Sequence, residues 1–295
     1  MFKGSMVAIA TPMNKEGSLD FASLESLIDF HITNKTDAIV SVGTTGESAT
    51  LDFEEHSQVI QKTIDIVNKR IPVIAGTGAN STSEAIELTK KSKDLGADAC
   101  LLVTPYYNKP TQDGLFQHFL KVADEVSIPQ ILYNVPGRTA VDMQPDTVFQ
   151  LSKHPNIVGI KEASGSNQRS KELMEKCSEN ISIFSGDDKT SMNDMILGFK
   201  GNISVTANIA PLQMHEMCML ATKGEKEKAA IINKNLDILH DNLFIESNPI
   251  PVKWALNRMN LIKKGIRLPL TWLDEKYEKT LEDSLIKANI ISKKQ

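Results

Sequence analysis

The sequence predicts an α/β chain, a (β/α)8 TIM barrel with a C-terminal helical extension. Three observations predict it. Short apolar, β-branched runs recur eight times, segments with helical period fill most of the intervals, and after about Thr222 the pattern turns to helices alone. A strand followed by a helix, repeated, pairs its strands in parallel because the helix carries the chain back, and eight such units close a barrel. A doubly wound open sheet usually shows fewer units, and the first strand here lacks a dinucleotide fingerprint.

The runs are Met6 to Ala10, Ala38 to Val42, Ile71 to Ala75, Ala99 to Val103, Gln130 to Tyr133, Ile157 to Lys161, Ile181 to Ser185 and Asn202 to Thr206. Between them, Leu24, Leu27, Ile28 and His31 share one helical face, as do Ile60, Ile64 and Val67. Beyond the barrel, Ala229, Ile232, Leu236 and Leu239 form an apolar stripe, and another segment follows the proline-bracketed Asn248-Pro249-Ile250-Pro251. The implied division is a catalytic barrel over 1–223 and a helical part over 224–295. No low-complexity linker separates them, which predicts no independent motion.

The 295 residues allow two ordinary domains or one large barrel. Hydrophobic residues at 41% and charged residues at 24% exclude wholesale disorder, collagen and coiled-coil arrays. Lys+Arg at 33 against Asp+Glu at 37 leave a net charge of -4, and no basic stripe announces a nucleic-acid partner. The longest stretch free of charged side chains, Gly201 to His215, is too polar and too short for a bilayer, which takes about 20 apolar residues. The N-terminus lacks a secretory h-region. These features predict a cytoplasmic protein without a membrane partner. Cys100, Cys177 and Cys218 are odd in number and widely spaced, which argues against a disulfide framework or a zinc site.

In such a barrel the reacting groups sit at the carboxyl ends of the strands. Those ends carry Gly43-Thr44-Thr45-Gly46-Glu47, Thr104-Pro105-Tyr106-Tyr107, Tyr133-Asn134, Lys161-Glu162, Ser185-Gly186-Asp187-Asp188 and Val205-Thr206-Ala207-Asn208. His31, His56, His118, His215 and His240 lie in helical segments and His154 precedes the sixth strand, so no histidine is expected at a strand end. That disfavours a metal centre, and no cofactor is expected. The loops after strands seven and eight are poor in glycine, which disfavours a phosphorylated substrate.

Lys161 follows the apolar or small residues Ile157, Val158, Gly159 and Ile160. It reads either as a solvated cap on its strand, the commoner state of a lysine, or as a dehydrated amine able to attack a carbonyl. Tyr133 and Tyr107 read either as amphipathic rim residues or as phenols that shuttle protons through a hydroxyl such as Thr44. Arg138, after a loop shaped by Pro136 and Gly137, reads either as a structural ion-pair partner or as a clamp for a substrate carboxylate. Gly76-Thr77-Gly78 reads as a turn.

The runs Gly43-Thr44-Thr45-Gly46-Glu47, Thr104-Pro105-Tyr106-Tyr107-Asn108, Tyr133-Asn134-Val135-Pro136-Gly137-Arg138-Thr139, Gly159-Ile160-Lys161-Glu162 and Asn248-Pro249-Ile250-Pro251-Val252-Lys253 closely resemble the 4-hydroxy-tetrahydrodipicolinate synthase family, long called the dihydrodipicolinate synthases. They occur in the expected order and spacing from the opening strand to the C-terminal helices. The family lies in the N-acetylneuraminate lyase and class I aldolase superfamily. The resemblance implies a lyase that joins pyruvate to L-aspartate 4-semialdehyde at the start of the diaminopimelate and lysine pathway.

On that resemblance Lys161 forms a Schiff base with pyruvate, and Tyr133, Thr44 and Tyr107 form a proton relay, Tyr107 being given by an adjoining subunit of a homotetramer built as a dimer of dimers. Thr45 belongs to the pyruvate carboxylate site, Arg138 binds the semialdehyde carboxylate, and Gly186 and Ile203 offer main-chain contacts. N-acetylneuraminate lyase and the 2-keto-3-deoxy sugar acid aldolases share the first half-reaction, while Arg138 and the Thr44-Thr45 pair favour the synthase. A catalytically silent keto-acid-binding barrel is the reading of another class, and an intact Lys161, Tyr133 and Thr44 count against it. The resemblance also implies an allosteric L-lysine site at Ser48, Ala49, His56, Asn80, Glu84 and Tyr106. There Phe53 stands where strongly inhibited relatives often carry another histidine, which predicts weakened inhibition.

Overall fold

The computed structural model of the chain describes residues 2–293. Strands β1 (Gly4–Ala8), β2 (Ala38–Ser41), β3 (Val73–Gly76), β4 (Ala99–Val103), β5 (Gln130–Asn134), β6 (Ile157–Glu162), β7 (Ser182–Ser185) and β8 (Gly201–Ser204) close a barrel in chain order. Every neighbouring pair is parallel, including β1 with β8. Helices α1 (Phe21–Thr33), α2 (Phe53–Val67), α3 (Thr82–Leu95), α4 (Gln112–Glu125), the single turn α5 (Pro136–Thr139), α6 (Pro145–Leu151), α7 (Asn167–Cys177), α8 (Ser191–Leu197) and α9 (Pro211–Thr222) fill the connections and the return after β8. Then come α10 (Lys226–Asn242), α11 (Ile250–Arg258) and α12 (Glu275–Lys287).

The core has two layers because strand side chains alternate between faces. Met6, Ala8, Val40, Leu101, Ile131, Tyr133, Phe184 and Ile203 fill the barrel, while Val7, Ile39, Leu102, Leu132, Ile160 and Ile183 meet the helices outside it. The expected α1 face is the buried one, Leu24, Leu27, Ile28 and His31. Cys100, Cys177 and Cys218 are buried free thiols, and burial pushes Cys100 up to about 12 and Cys177 up to about 11. Such thiols are poor nucleophiles.

Strand bounds shift by one or two residues, β1 running Gly4–Ala8 rather than Met6 to Ala10, and three local expectations are corrected for a visible reason. β3 begins at Val73 rather than Ile71, because Pro72 has no N–H for the ladder. β8 ends at Ser204 rather than Thr206: the Asp188 carboxylate accepts from the N–H groups of Val205 at 3.0 Å and Thr206 at 2.9 Å and bends the chain there. Gly76-Thr77-Gly78 forms no turn. Its glycines admit crossing backbone, since a Cβ at Gly76 would lie 2.2 Å from the Val42 carbonyl oxygen and one at Gly78 2.3 Å from the Val103 nitrogen. Among the described residues no helix is long and apolar enough to cross a membrane.

Candidate active site

Lys161 stands one position short of the end of β6, and the parallel register places it beside Tyr133 of β5. Register partners in adjacent strands project to the same face, so amine and phenol share the barrel mouth. Lys161 is buried, with its Nζ 4.2 Å from the Tyr133 ring centroid. Gly186 follows β7, and a Cβ there would come 2.7 Å from Lys161 Cε, so only hydrogen leaves the lysine side chain its path. The adjacent carboxylate turns away: Glu162 accepts from Asn134 Nδ2 at 3.1 Å and Ser164 N at 2.7 Å, with the Arg169 guanidinium 3.7 Å off. Burial pushes the Glu162 carboxyl above the usual range while those bonds pull it back. Among the described residues no carboxylate lies within ion-pair reach of Lys161.

A cavity of about 370 Å³ opens above this pair, walled by Lys161, Tyr133, Thr44, Thr45, Arg138 and Gly186. Six of the eight expected catalytic and substrate-binding residues therefore meet at one mouth. Thr45 is buried, and its Oγ1 accepts from Asn248 Nδ2 at 3.0 Å. Arg138, exposed on α5, donates from Nη2 to the Asn248 carbonyl at 3.3 Å, leaving its other donors for a ligand. Ile203 packs inside the barrel and lies outside the cavity wall. The β7–β8 ladder stops at Ser185 with Asn202, so the backbones of Gly186 and Ile203 stand just beyond it.

Two parts of the expected relay do not assemble within one chain. Tyr107 is 90% exposed at a left-handed φ of 70°, away from the cavity. No hydrogen bond joins Tyr133 to Thr44 among the described residues, although both hydroxyl-bearing side chains line the cavity. The six residues expected to hold lysine do come together. Ser48, Ala49, His56, Asn80, Glu84 and Tyr106 wall a second cavity of about 440 Å³ beside Phe53. The two cavities share Thr44, Val135, Arg138 and Asn248 as a common wall. His56 Nε2 meets the Gly76 carbonyl at 2.7 Å and must donate to it, so its Nδ1 is the accepting nitrogen. Burial holds the His56 ring below its ordinary value. Asn80 Oδ1 accepts from the Tyr106 N–H at 2.8 Å and fixes the backbone leading into Tyr107.

The model of the dihydrodipicolinate synthetase family matches residues 1–288. The chain belongs to this family. Family members include the 4-hydroxy-tetrahydrodipicolinate synthase of Thioalkalivibrio sulfidiphilus, 60% identical over 290 residues that cover 98% of this chain and 99% of that one. The enzyme of the same name from Pseudomonas aeruginosa is 59% identical over 292 residues, covering 99% of this chain and all (100%) of the other. Among solved structures, the chloride-inhibited dihydrodipicolinate synthase of Acinetobacter baumannii complexed with pyruvate superposes with a TM-score of 0.98 at 57% identity, covering 99% of this chain and 100% of that one. The family's structure from Cyanidioschyzon merolae, with lysine bound, gives a TM-score of 0.95 at 37% identity over 98% and 99% of the two chains.

The rim also holds residues to which the sequence gave no role. His240, expected only on a helix, lines the cavity because α10 docks across the end of β8, where its Nδ1 lies 2.9 Å from Thr206 Oγ1. Burial lowers its basicity. Asp187 and the Lys189–Asp241 pair, at 2.5 Å, complete that side, and burial raises the Asp187 carboxyl. A signal for His240 was present: it follows Leu236 and Leu239 on the same buried helical stripe.

Proposed function

We propose that the chain condenses pyruvate with L-aspartate 4-semialdehyde through a lysine Schiff base and releases 4-hydroxy-tetrahydrodipicolinate, in the lysine and diaminopimelate pathway. The observation that carries this is the buried Lys161 amine beside Tyr133, with no carboxylate within ion-pair reach among the described residues, in a cavity whose outer wall is Arg138. Lys161 attacks the pyruvate ketone, water leaves, and loss of a methyl proton makes the enamine that adds to the aldehyde. The amino group of the second substrate then displaces Lys161 and closes the ring. Tyr133 and Thr44 move the protons, Thr45 with the main chain near Gly186 and Ile203 holds pyruvate, and Arg138 holds the semialdehyde carboxylate.

The exposure of Tyr107 supports a site completed by a neighbour, within a cytoplasmic homotetramer built as a dimer of dimers. The second cavity is a feedback site for L-lysine, in which Glu84 takes an ammonium and the neutral His56 accepts a hydrogen bond. Residues 1–223 form the catalytic barrel and 224–295 the helical part, of which 1, 294 and 295 lie outside the described residues.

The deciding assay supplies pyruvate with aspartate semialdehyde beside N-acetylneuraminate and 2-keto-3-deoxygluconate. Product from the semialdehyde is expected, together with a borohydride-stable adduct of pyruvate on the peptide containing Lys161. Preference for a sugar acid, or an adduct on another lysine, overturns the proposal.

A further inference from the structure

We propose that Lys253 is a positioning residue for pyruvate, holding Glu47 so that the loop from Gly43 to Glu47 presents Thr44 and Thr45 to the cavity. The inference rests on the function proposed above. Two non-glycine residues in the left-handed region bracket that loop, Val42 just before it at φ 54° and Glu47 at its end at φ 58°. A β-branched residue there is a real outlier, and such strain persists only where the surroundings over-determine it.

The surroundings do so on both sides. The loop's own bonds, Gly46 N to the Gly43 carbonyl at 3.0 Å and Glu47 N to the Thr44 carbonyl at 3.1 Å, wind it tightly, and Thr11 Oγ1 donates to the Gly46 carbonyl at 2.7 Å. At its far end the Glu47 side chain has no solvent exposure, and neither has Lys253, its ion-pair partner. The other carboxylate oxygen accepts from the Arg267 N–H at 3.2 Å. A carboxylate buried this completely has one tolerable location, against its cation. Lys253 of α11, 206 residues away in sequence, therefore dictates where Glu47 sits. Glu47 is two residues from Thr45, which Asn248, on the same C-terminal segment, also grips.

A merely structural ion pair would change stability alone, whereas a positioning pair also changes the handling of pyruvate. The test uses the full chain and pyruvate alone, reading the concentration for half-maximal borohydride trapping on Lys161. Lys253→Met is expected to raise that concentration about tenfold, since displacements near 1 Å cost up to about a hundredfold. Its KM for the semialdehyde, held by Arg138, is expected to change less than twofold. The double variant Glu47→Gln/Lys253→Met carries no unpaired buried charge, so it recovers thermal stability but keeps the raised half-saturation. It also carries the test if the single variant does not fold. Wild-type half-saturation in the double variant would overturn the inference. Trapping of pyruvate by wild-type protein that makes no product from the semialdehyde would sink the proposed function and leave this inference standing.

Discussion

At the mouth of β6, Lys161 is buried beside an aromatic ring with no carboxylate within ion-pair reach among the described residues; at the seam between α11 and the loop after β2, Lys253 is buried more deeply and rests on Glu47. Both regions take a lysine out of water, which is costly for an ammonium. At the seam the fold supplies the counter-charge. Burial still pushes the Lys253 amine down, with Glu47 pulling it back up. At the mouth no carboxylate among the described residues comes within ion-pair reach, and the neighbouring Glu162 is occupied by Asn134, Ser164 and Arg169. The difference separates an ion pair that shapes backbone from an amine left open to a ligand.

The sharpest way to break this comparison is Lys161→Met. Turnover should fall by about a thousandfold or more and the pyruvate adduct should vanish, because the nucleophile is gone. Thermal stability should hold or rise, since a buried amine without a counter-ion is replaced by a thioether of similar shape. Retention of a tenth of the activity, measured at steady state, would refute the assignment.

Lys253→Met should behave oppositely. It strands the Glu47 carboxylate, and breaking a buried pair in this way costs about 3–5 kcal/mol. Urea unfolding should show that loss, and a double-mutant cycle with Glu47→Gln should return most of it. A loss below about 1 kcal/mol, the value of an exposed pair, would place the two lysines in the same class.

His31 extends the comparison to a buried base whose partner is only a hydroxyl, Thr36 Oγ1 at 3.0 Å. Burial pushes it from 6.5 down to about 3. Between those values the unfolded state binds the proton and the folded state does not, so stability is full above pH 6.5 and falls as pH drops toward 3. The contribution is about 1.4 kcal/mol per pH unit inside that window. Unfolding midpoints of His31→Gln across pH should show a slope shallower by that amount, and an unchanged slope would rule the group out.

The smallest expected effect concerns an ammonium that arrives from outside. If Glu84 serves free L-lysine as Glu47 serves Lys253, then Phe53→His adds a hydrogen bond worth about 0.5–1.5 kcal/mol and tightens lysine binding several-fold. Glu84→Thr should abolish inhibition with uninhibited turnover nearly unchanged. Calorimetry that finds no lysine binding at millimolar levels would make the second cavity a structural void.

The sequence announces the eight strand–helix units, the helical tail, and the residues carried at each strand end, because alternation along a strand and the 3.6-residue helical period are local signals. It also placed Lys161, Tyr133, Thr44, Thr45, Arg138 and Gly186 at one rim, since every parallel strand of a closed barrel ends on the same side. Its errors were local as well: Asp188 cut β8 short through a side chain that no periodicity reports. It took the closed and packed molecule to leave Lys161 without a carboxylate in ion-pair reach among the described residues, to bring His240 to the mouth from α10, and to pair Glu47 with Lys253. Those outcomes depend on strand register and on the docking of the C-terminal helices, which in the pair of Glu47 with Lys253 of α11 joins positions 206 residues apart. A side chain's partner is set by where the chain returns, and that path is a property of the closed barrel and its packed helices, not of any window of sequence.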